Sequence, residues 1–314
     1  MSSSGFLTVI DTSSMKVLIL IKSHFSVGTS PYYAHQHGLA IDVYQGLNLD
    51  NYEVLSPISG EILQIKPMAA PKPKFKDGID KEYLVLVNNP RNPKTVYKIL
   101  HVKPSVEIGD KISVGDVIGK TIRNGYFAYW SSPHLHLELK SLKDAHRAKG
   151  GKAFSLAFNQ SNYNILSKRT EHDEIIPIRI KHTCQEFMLA QFPETLYHYM
   201  EPFYGVKGEY SAQDCIIEGG IPIYKNGMAF FEQELLSSPD GDFLLNNRKI
   251  GRMWGAYKNF GSIKFDNVVF LLNGKKIRGI SLFMASFMPL VKIIPKNRGE
   301  FSFDLNSVQN LIIL

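Results

Sequence analysis

Cysteine is scarce in this sequence. The two cysteines, Cys184 and Cys215, are far apart and do not have the spacing of a metal site. This scarcity excludes a disulfide framework and a zinc site built from thiolates. The pair predicts reduced, buried thiols, which suit an intracellular compartment.

Long apolar runs are also missing. The apolar run near the N-terminus, residues 17–21, ends at Lys22 and is too short for the core of a signal peptide. The uncharged stretch from Gly279 to Val291 contains Pro289 and falls short of the ~20 residues that cross a bilayer. The sequence therefore predicts no export signal, no membrane partner and a cytoplasmic protein.

Charge gives little indication of a partner. The formal net charge is +7, but the lysines are spread along the chain, without the interleaved aromatic residues of RNA-binding sheets. We expect no specific nucleic-acid partner, and the sequence does not indicate an oligomeric state. With 44% hydrophobic and 21% charged residues, the composition is that of a soluble globular protein.

Helical periodicity is rare, and the strand signals predict a mainly β protein. A first domain, residues 1–157, has short alternating or β-branched runs separated by Gly, Pro, Asn and Asp. These predicted strands are 16–21, 60–65, 83–87, 95–100, 116–120 and 135–139. The lysine- and proline-rich segment Lys66–Lys81 predicts an exposed loop.

The polar segment Asn159–Asn164 predicts a linker, and residues 165–314 predict a second β-rich domain of unknown function. Turn signals recur in that half at 225–227, 238–241 and 272–274, each beside apolar or aromatic runs. One short helix is expected around Cys184 to Phe192. The predicted fold class is thus mainly β, with two domains.

The segment SSPHLHLEL, residues 131–139, alternates strictly. On a strand, residues two apart share a face, so His134, His136 and Glu138 lie on one side and the three leucines on the other. The leucines predict burial of their own face. Two histidines alone are a weak metal signal, and Glu138 fits either a hydrogen bond to a ligand imidazole or a solvated carboxylate.

A second cluster strengthens the metal hypothesis. In the segment HQHGLAIDV, residues 35–43, Asp42 lies between Ile41 and Val43, where a carboxylate is costly to bury unless it is paired or binds a cation. Two histidines, one aspartate and a water form a zinc site of the catalytic type. Alternatively, Asp42 caps a turn or pairs with a lysine. His101, which follows the strand-like VYKIL, is uninformative alone.

Taken in order, these segments resemble the lysostaphin-like, or LytM-like, zinc metallopeptidases. The resemblance covers roughly residues 35–140 and consists of HGLAIDV, LSPISGEI, YKILHV, IGDKISVGDVIG and PHLHLEL. It implies a barrel-sandwich-like antiparallel β domain and a zinc-dependent endopeptidase with a peptide substrate. Residue by residue, it implies zinc ligands at His37, Asp42 and His136, and catalytic histidines at His101 and His134.

One spacing departs from the family pattern. The family has three residues between its first ligand histidine and the aspartate, whereas four residues separate His37 from Asp42. An odd offset places side chains on opposite faces unless the strand is interrupted. Gly38 permits such an interruption, so His37 is preferred over His35.

Two alternative functions follow from the same segments. A member that has lost hydrolysis would bind peptide or glycan in the same groove. The glycine hairpins also resemble biotinyl and lipoyl carrier domains, but no lysine attachment tip lies between the half-motifs, and a carrier domain gives no reason for the histidines.

Overall fold

The computed structural model describes residues 5–159, 174–235 and 241–314. Nearly all of its regular structure is β-strand, which confirms the predicted fold class. The predicted linker, apart from Asn159, lies outside the described residues, as do residues 238–240 of one predicted turn. In the described chain, every helix is too short to cross a membrane.

The chain forms two compact units. The first consists of the described residues up to Phe25 together with His37–Ala157, and the second consists of Ser26–Gln36 together with the described part of Phe158–Leu314. The short segment Ser26–Gln36 therefore belongs to the second unit, although it falls inside the predicted first domain.

The elements within residues 5–150 are twelve strands, one short α-helix and one 3-10 turn at Leu142–Asp144. They are β1 Phe6–Thr12, β2 Met15–Leu20, β3 His24–Ser26, α1 Tyr33–Gln36, β4 Ala40–Tyr44, β5 Glu53–Leu55, β6 Gly60–Ala69, β7 Lys81–Asn88, β8 Thr95–Leu100, β9 Val102–Pro104, β10 Lys111–Ile112, β11 Val117–Thr121 and β12 Leu135–Ser141. All six strands predicted for this half are present.

An antiparallel sheet with the order β4-β12-β8-β7-β6-β10 forms the frame of the first unit. A small sheet, β5-β11-β9, and the hairpin β1-β2 complete it. Strand β12 lies between β4 and β8, so residues from three distant parts of the sequence become neighbours across it. Its leucines, Leu135, Leu137 and Leu139, are all buried.

The lysine-rich segment 66–81 is shorter as a loop than predicted. Strand β6 continues to Ala69, with Pro67 opposite Tyr83, and β7 begins at Lys81. The intervening residues 70–80 contain no regular strand, and none of them is buried, as the loop prediction requires. The alternating pattern around Pro67 was hidden because proline and lysine are poor strand formers.

The described part of the second half contributes fifteen strands and a 3-10 turn at Glu194–Leu196. The strands are β13 Ile175–Thr183, β14 Met188–Gln191, β15 Tyr197–Met200, β16 Phe203–Tyr210, β17 Gln213–Ile221, β18 Asn226–Phe230, β19 Asp242–Leu245, β20 Arg248–Tyr257, β21 Phe260–Phe265, β22 Phe270–Leu272, β23 Lys275–Lys276, β24 Gly279–Leu282, β25 Met284–Ala285, β26 Val291–Ile294 and β27 Val308–Ile313.

Six of these strands close into a ring. The antiparallel pairs run β16-β17-β18-β21-β20-β19 and return from β19 to β16. Apolar side chains from the ring, among them Ile217, Phe243 and Ile263, belong to one buried cluster. A small antiparallel barrel filled in this way is a core rather than a channel.

Tight turns join several of these strands. Asn273 and Gly274, between β22 and β23, both have positive φ, as does the pair Asn246 and Asn247 between β19 and β20. Two successive positive φ values define the type I′ turn, whose twist matches that of a hairpin. The turn predicted at 272–274 is confirmed.

The helix predicted around Cys184 to Phe192 is wrong. Residues 188–191 form β14, which pairs with β13 on one side and β26 on the other. The buried run of Met188, Leu189 and Ala190 lies inside a sheet. A short apolar run has no decisive periodicity, so long-range pairing determined its structure. Of the two free cysteines, Cys215 is buried and Cys184 is half-buried.

Candidate metal centre

Strand β12 brings the polar residues of the site together by its register. His136 lies directly opposite Asp42 on β4 and, on its other side, opposite Leu100, the residue before His101. The polar face of β12 is as deeply buried as its leucine face. The sequence predicted burial of the leucine face alone, and the burial of both faces makes charge pairing essential here.

Asp42 is the central acid of the site. Its side chain is almost wholly buried, with 1% of the residue exposed. One carboxylate oxygen lies 2.9 Å from Nδ1 of His136, and the other lies 3.3 Å from Nε2 of His134. The expectation that this carboxylate is paired in its apolar strand is met by the hydrogen bond from His136.

His35, rather than His37, joins this acid. The ligand atoms of His35, Asp42 and His136 lie within 4.8 Å of one another, and among the described residues they form the group that could hold a metal ion. His35 is buried on α1, and its Nδ1 donates to the carbonyl oxygen of Val27 at 2.6 Å. His37 is exposed.

The choice of His37 over His35 therefore needs correction. The prediction assumed that the first ligand lies on the same strand as Asp42, where side chains alternate between faces. His35 instead lies on a helical turn, where side chains two residues apart point about 200° apart, so burial of His35 turns His37 towards solvent. Gly38, with φ +62°, then redirects the chain into β4.

A buried carboxylate, Glu138, supports His136 from behind. Oε1 of Glu138 lies 3.3 Å from Nε2 of His136 and 2.8 Å from Nζ of Lys98, while Oε2 lies 2.7 Å from Nζ of Lys140. Burial alone raises the pKa of Glu138, but His136 and the two lysines outweigh it and hold the pKa well below its usual range. Of the two roles left open for Glu138, its burial excludes the solvated carboxylate, and its contact with His136 is the one that holds an imidazole in orientation.

The same carboxylates act on the His136 ring. Burial disfavours its charged form, yet hydrogen bonds and charges from Asp42 and Glu138 outweigh burial and raise the pKa of His136 to about 9. A metal ion binds a neutral imidazole, so a proton must leave this ring when a metal enters.

His134 lies beside Asp42 in an apolar setting. Its Nδ1 donates to the carbonyl oxygen of Ser132 at 2.9 Å, and its ring centre lies 4.8 Å from that of Tyr44 and 5.0 Å from that of Phe127. Burial lowers the pKa of His134 to about 4, against the opposing charge of Asp42. The ring is therefore neutral at pH 7, with Nδ1 as its donor and Nε2 towards Asp42.

His101 completes the group and has an unusual backbone. Its ring centre lies 5.3 Å from that of His134 and 5.7 Å from that of His136. Its φ of +66° is rare for a residue with a side chain and costs of order 1–3 kcal/mol, a feature that concentrates at functional sites. The structure thus brings together His101, His134, Asp42 and His136 of the predicted site.

Glu82 is a functional candidate that the sequence did not reveal. One of its oxygens accepts the backbone N–H of His101 at 2.8 Å, and the other lies 2.5 Å from His101 Nδ1. Asn124 donates a further hydrogen bond to Glu82. Burial raises the pKa of Glu82, but the charge and hydrogen bond of His101, with Asn124, lower it to about 2. The sequence contained one signal for Glu82: it alternates with Leu84 and Leu86, which places it on the same face of β7 as these buried leucines.

The donor set suits zinc. Two imidazoles and one carboxylate are the protein ligands of a catalytic zinc site, which leaves one position for water or substrate. Each histidine also has one nitrogen held by a hydrogen bond, to Val27, Glu138, Ser132 or Glu82. Such outer partners fix the tautomer and direct the opposite nitrogen to the metal. By this test the residues fit a zinc ion.

Comparison with solved structures gives two likenesses to lysostaphin. The antimicrobial peptidase lysostaphin from Staphylococcus simulans is 13% identical, with 91% of this chain and 92% of that chain covered and a TM-score of 0.25. The solution structure of lysostaphin is 11% identical, with 88% and 96% covered and a TM-score of 0.27. No curated protein sequence matches the chain.

Family models match both halves of the chain. Residues 13–156 match the N-terminal domain model of a family described as a domain of unknown function, DUF8155. Residues 180–306 match the C-terminal domain model of the same family. With both of its domains present in order, the chain belongs to the DUF8155 family.

Proposed function

We propose that this protein is a zinc-dependent metalloendopeptidase that hydrolyses peptide bonds. The observation that carries the proposal is the group formed by His35, Asp42 and His136. His134 lies 3.3 Å from the same aspartate, and His101 lies beside His134 and His136. Each of the four histidines has one ring nitrogen held by a defined acceptor.

Three residues of the proposed site are the zinc ligands: His35, Asp42 and His136. When bound, zinc lowers the pKa of a water molecule to about 7 and polarises a carbonyl group as a Lewis acid. Glu138 and the carbonyl oxygen of Val27 hold the two ligand imidazoles in orientation.

His134 is the proposed general base. Because Nδ1 donates to the carbonyl of Ser132, Nε2 carries the lone pair and can accept a proton from the attacking water. The rings of Tyr44 and Phe127 exclude bulk water from this imidazole, which keeps it neutral before the reaction.

His101 is the proposed stabiliser of the oxyanion. Glu82 holds both its backbone N–H and its ring Nδ1, so the opposite ring nitrogen, Nε2, is the atom that can donate to the developing charge. Preorganisation of this kind acts most strongly where water is excluded, and only 13% of the His101 side chain is exposed.

The proposed substrate is a peptide, slender at the scissile bond. The competing function is a catalytically degenerate domain that binds peptide or glycan through the same groove. The two differ in turnover, because both keep the histidines and only the enzyme hydrolyses a bond.

The test combines metal analysis with digestion of a peptide library that includes glycine-rich sequences. We expect one zinc per chain in the wild type and in His134→Ala, cleavage in the wild type but not in His134→Ala, and loss of zinc in His35→Ala and His136→Ala. His37→Ala is the matched control and should keep both zinc and cleavage. A wild type that takes up no zinc on refolding with the metal contradicts the proposal. Zinc without cleavage of any peptide favours the binding domain.

A further inference from the structure

A buried carboxylate in the second unit has no part in the proposed chemistry. Glu218, on β17, is fully buried. Its neighbour Ile217 belongs to the apolar cluster of the barrel, so Glu218 points to the opposite side of the strand. A carboxylate in such a place is stable only if hydrogen bonds replace its hydration.

Those hydrogen bonds all come from one short segment, residues 26–29. The backbone N–H groups of Val27 and Gly28 and the hydroxyl of Ser26 donate to Glu218. The hydroxyl of Thr29 lies 3.3 Å both from Glu218 and from the carbonyl oxygen of Leu282 on β24. Four successive residues are thus ordered around one side chain.

Gly28 shows how closely the segment approaches β17 and β18. A Cβ atom at this position would lie 2.9 Å from Cγ of Met228 and 3.0 Å from Oε1 of Glu218. Separations this short require the Met228 side chain or the carboxylate to move, so a larger residue at position 28 would disturb the contact between the backbone and the carboxylate. The small size of Gly28 therefore fits the close approach of the segment to Glu218.

The same segment determines the state of the His35 ring. Val27 donates its N–H to Glu218 and accepts a hydrogen bond from Nδ1 of His35 at 2.6 Å through its carbonyl oxygen. Fixing the peptide groups around Val27 fixes the direction of that carbonyl. The carbonyl in turn holds the proton on Nδ1 and leaves Nε2 as the metal donor.

We propose that Glu218 is a positioning residue for the metal ligand His35, acting through the segment 26–29. This inference rests on the proposed function for its metal, but not for the orientation of the ring. The C-terminal sequence, which contains no recognisable functional motif, thereby acquires a defined role. It presents the first ligand in one tautomer and one orientation.

The first experiment compares zinc affinity by chelator competition. Loss of a partner behind a ligand costs about 10- to 100-fold in metal affinity, and we expect about 10-fold for Glu218→Ala. Glu218→Gln should restore affinity to within about 3-fold of wild type, because its amide can accept from Gly28 and donate to the hydroxyls of Ser26 and Thr29. Gly28→Ala should weaken zinc binding while the carboxylate is intact.

Asp214→Asn is the matched control. Asp214 is on the same strand, β17, and pairs with Lys207 at 2.8 Å. The hydrogen bonds from residues 26–29 to β17 go to Glu218 and not to Asp214. A variant that only loosens the second unit would resemble this control. Absorption of the cobalt-substituted protein adds a readout of ligand geometry, and its bands should shift in Glu218→Ala but not in Asp214→Asn.

The second experiment needs no metal. Nitrogen-15 spectra of the His35 ring should show one tautomer, protonated on Nδ1, in the metal-free wild type, Glu218→Gln and Asp214→Asn. Glu218→Ala should show a mixture of tautomers. If Glu218→Ala keeps a single tautomer and wild-type zinc affinity, the inference is wrong and the metal site stands. If the wild type binds no zinc but the tautomer shift appears, the proposed function is wrong and the positioning role stands.

Discussion

The strands of the two units differ in the side chains that they bury beside their apolar residues. In the first, the sheet β4-β12-β8 buries charged residues, Asp42, His136, Glu138 and Lys140 among them. In the second, the ring of six strands encloses apolar side chains such as Phe243 and Ile263. Both are antiparallel β structures, so the secondary structure does not distinguish them.

The difference shows where the fold accepts an energetic cost. Each charge buried on β12 has a partner within 3.3 Å, and the sheet is stable there only because the partners meet. The barrel needs no such pairing. Its neighbour Glu218 is the informative exception, because it turns away from the apolar cluster towards the segment that carries His35.

Removal of Asp42 should disrupt the buried charged residues of the first unit more than any other single substitution. Asp42→Ala takes away one proposed ligand and the partner of two histidines, so zinc affinity should fall by more than about 100-fold, beyond the loss of any outer partner. Chelator competition measures it. Asp50→Ala, at an exposed position, is the control and should bind zinc as the wild type does. Equal affinity in both variants would remove Asp42 from the site.

A substitution that creates a cavity in the barrel should lower stability without affecting metal binding. Phe243 is fully buried, with its ring centre 4.7 Å from that of Tyr210. We expect Phe243→Ala to lower the free energy of unfolding by about 3–5 kcal/mol, measured by urea titration, with one zinc still bound per folded chain. Leu305→Ala, 62% exposed, is the control and should change stability by less than about 0.5 kcal/mol. Loss of zinc from folded Phe243→Ala would contradict this separation.

Glu138→Gln should lower both the stability of the fold and the affinity for zinc. It leaves Lys98 and Lys140 without their buried counter-charge, which costs about 3 kcal/mol, and it weakens the hold on His136, which costs about 10-fold in zinc affinity. Urea titration and chelator competition on one preparation measure the two. The exposed Glu107→Gln is the control. A variant with full zinc affinity would show that Glu138 serves the fold alone.

The pH dependence of stability should report on Glu218. Burial raises its pKa to about 7, although hydrogen bonds from segment 26–29 and the charge of His35 oppose the rise. Between about pH 4.5 and pH 7, the folded chain keeps a proton on Glu218 that the unfolded chain has released. The contribution of Glu218 to the free energy of unfolding is therefore complete below pH 4.5 and is lost by about pH 7. Relative to Glu218→Gln, wild-type stability should fall by about 3 kcal/mol over that window. The free energy of unfolding is measured by urea titration at each pH. If it depends on pH in the same way in the wild type and in Glu218→Gln, the raised pKa of Glu218 is contradicted.

His37→Ala should change least. The side chain is exposed and lies outside the metal-competent group, so we expect unaltered zinc affinity and a stability change below about 0.5 kcal/mol. The comparison with His35→Ala, two residues earlier, is the sharpest available, since the two variants remove the same side chain. Loss of zinc in His37→Ala but not in His35→Ala would reverse the assignment.

Much of the first unit could be predicted because its signals are local. Alternation placed His134 and His136 on one face, and the apolar neighbours of Asp42 marked it as a buried acid. The inward position of His35, the first proposed ligand, could not be predicted in this way, because a four-residue helix determines which of His35 and His37 turns inward. Nor could Glu82 or Glu218, whose partners lie 19 and about 190 residues away in sequence.

The second unit could be predicted only at the level of its strands and turns. The Asn-Gly pair at 273–274 has one favoured hairpin geometry, so the sequence sufficed. Whether residues 184–192 form a helix or a strand depends on pairing with β13 and β26, which no local pattern contains. Closure of the barrel is likewise a property of long-range pairing.

The left-handed backbone at His101 has a consequence for how this position can vary. A glycine would fit that conformation without strain, and an asparagine nearly so, yet neither supplies an imidazole. Glu82, which grips both the amide and the ring, compensates the unfavourable geometry locally. Position 101 thus trades conformational ease for the imidazole that the proposed chemistry requires, and residues selected for stability alone would move away from histidine there.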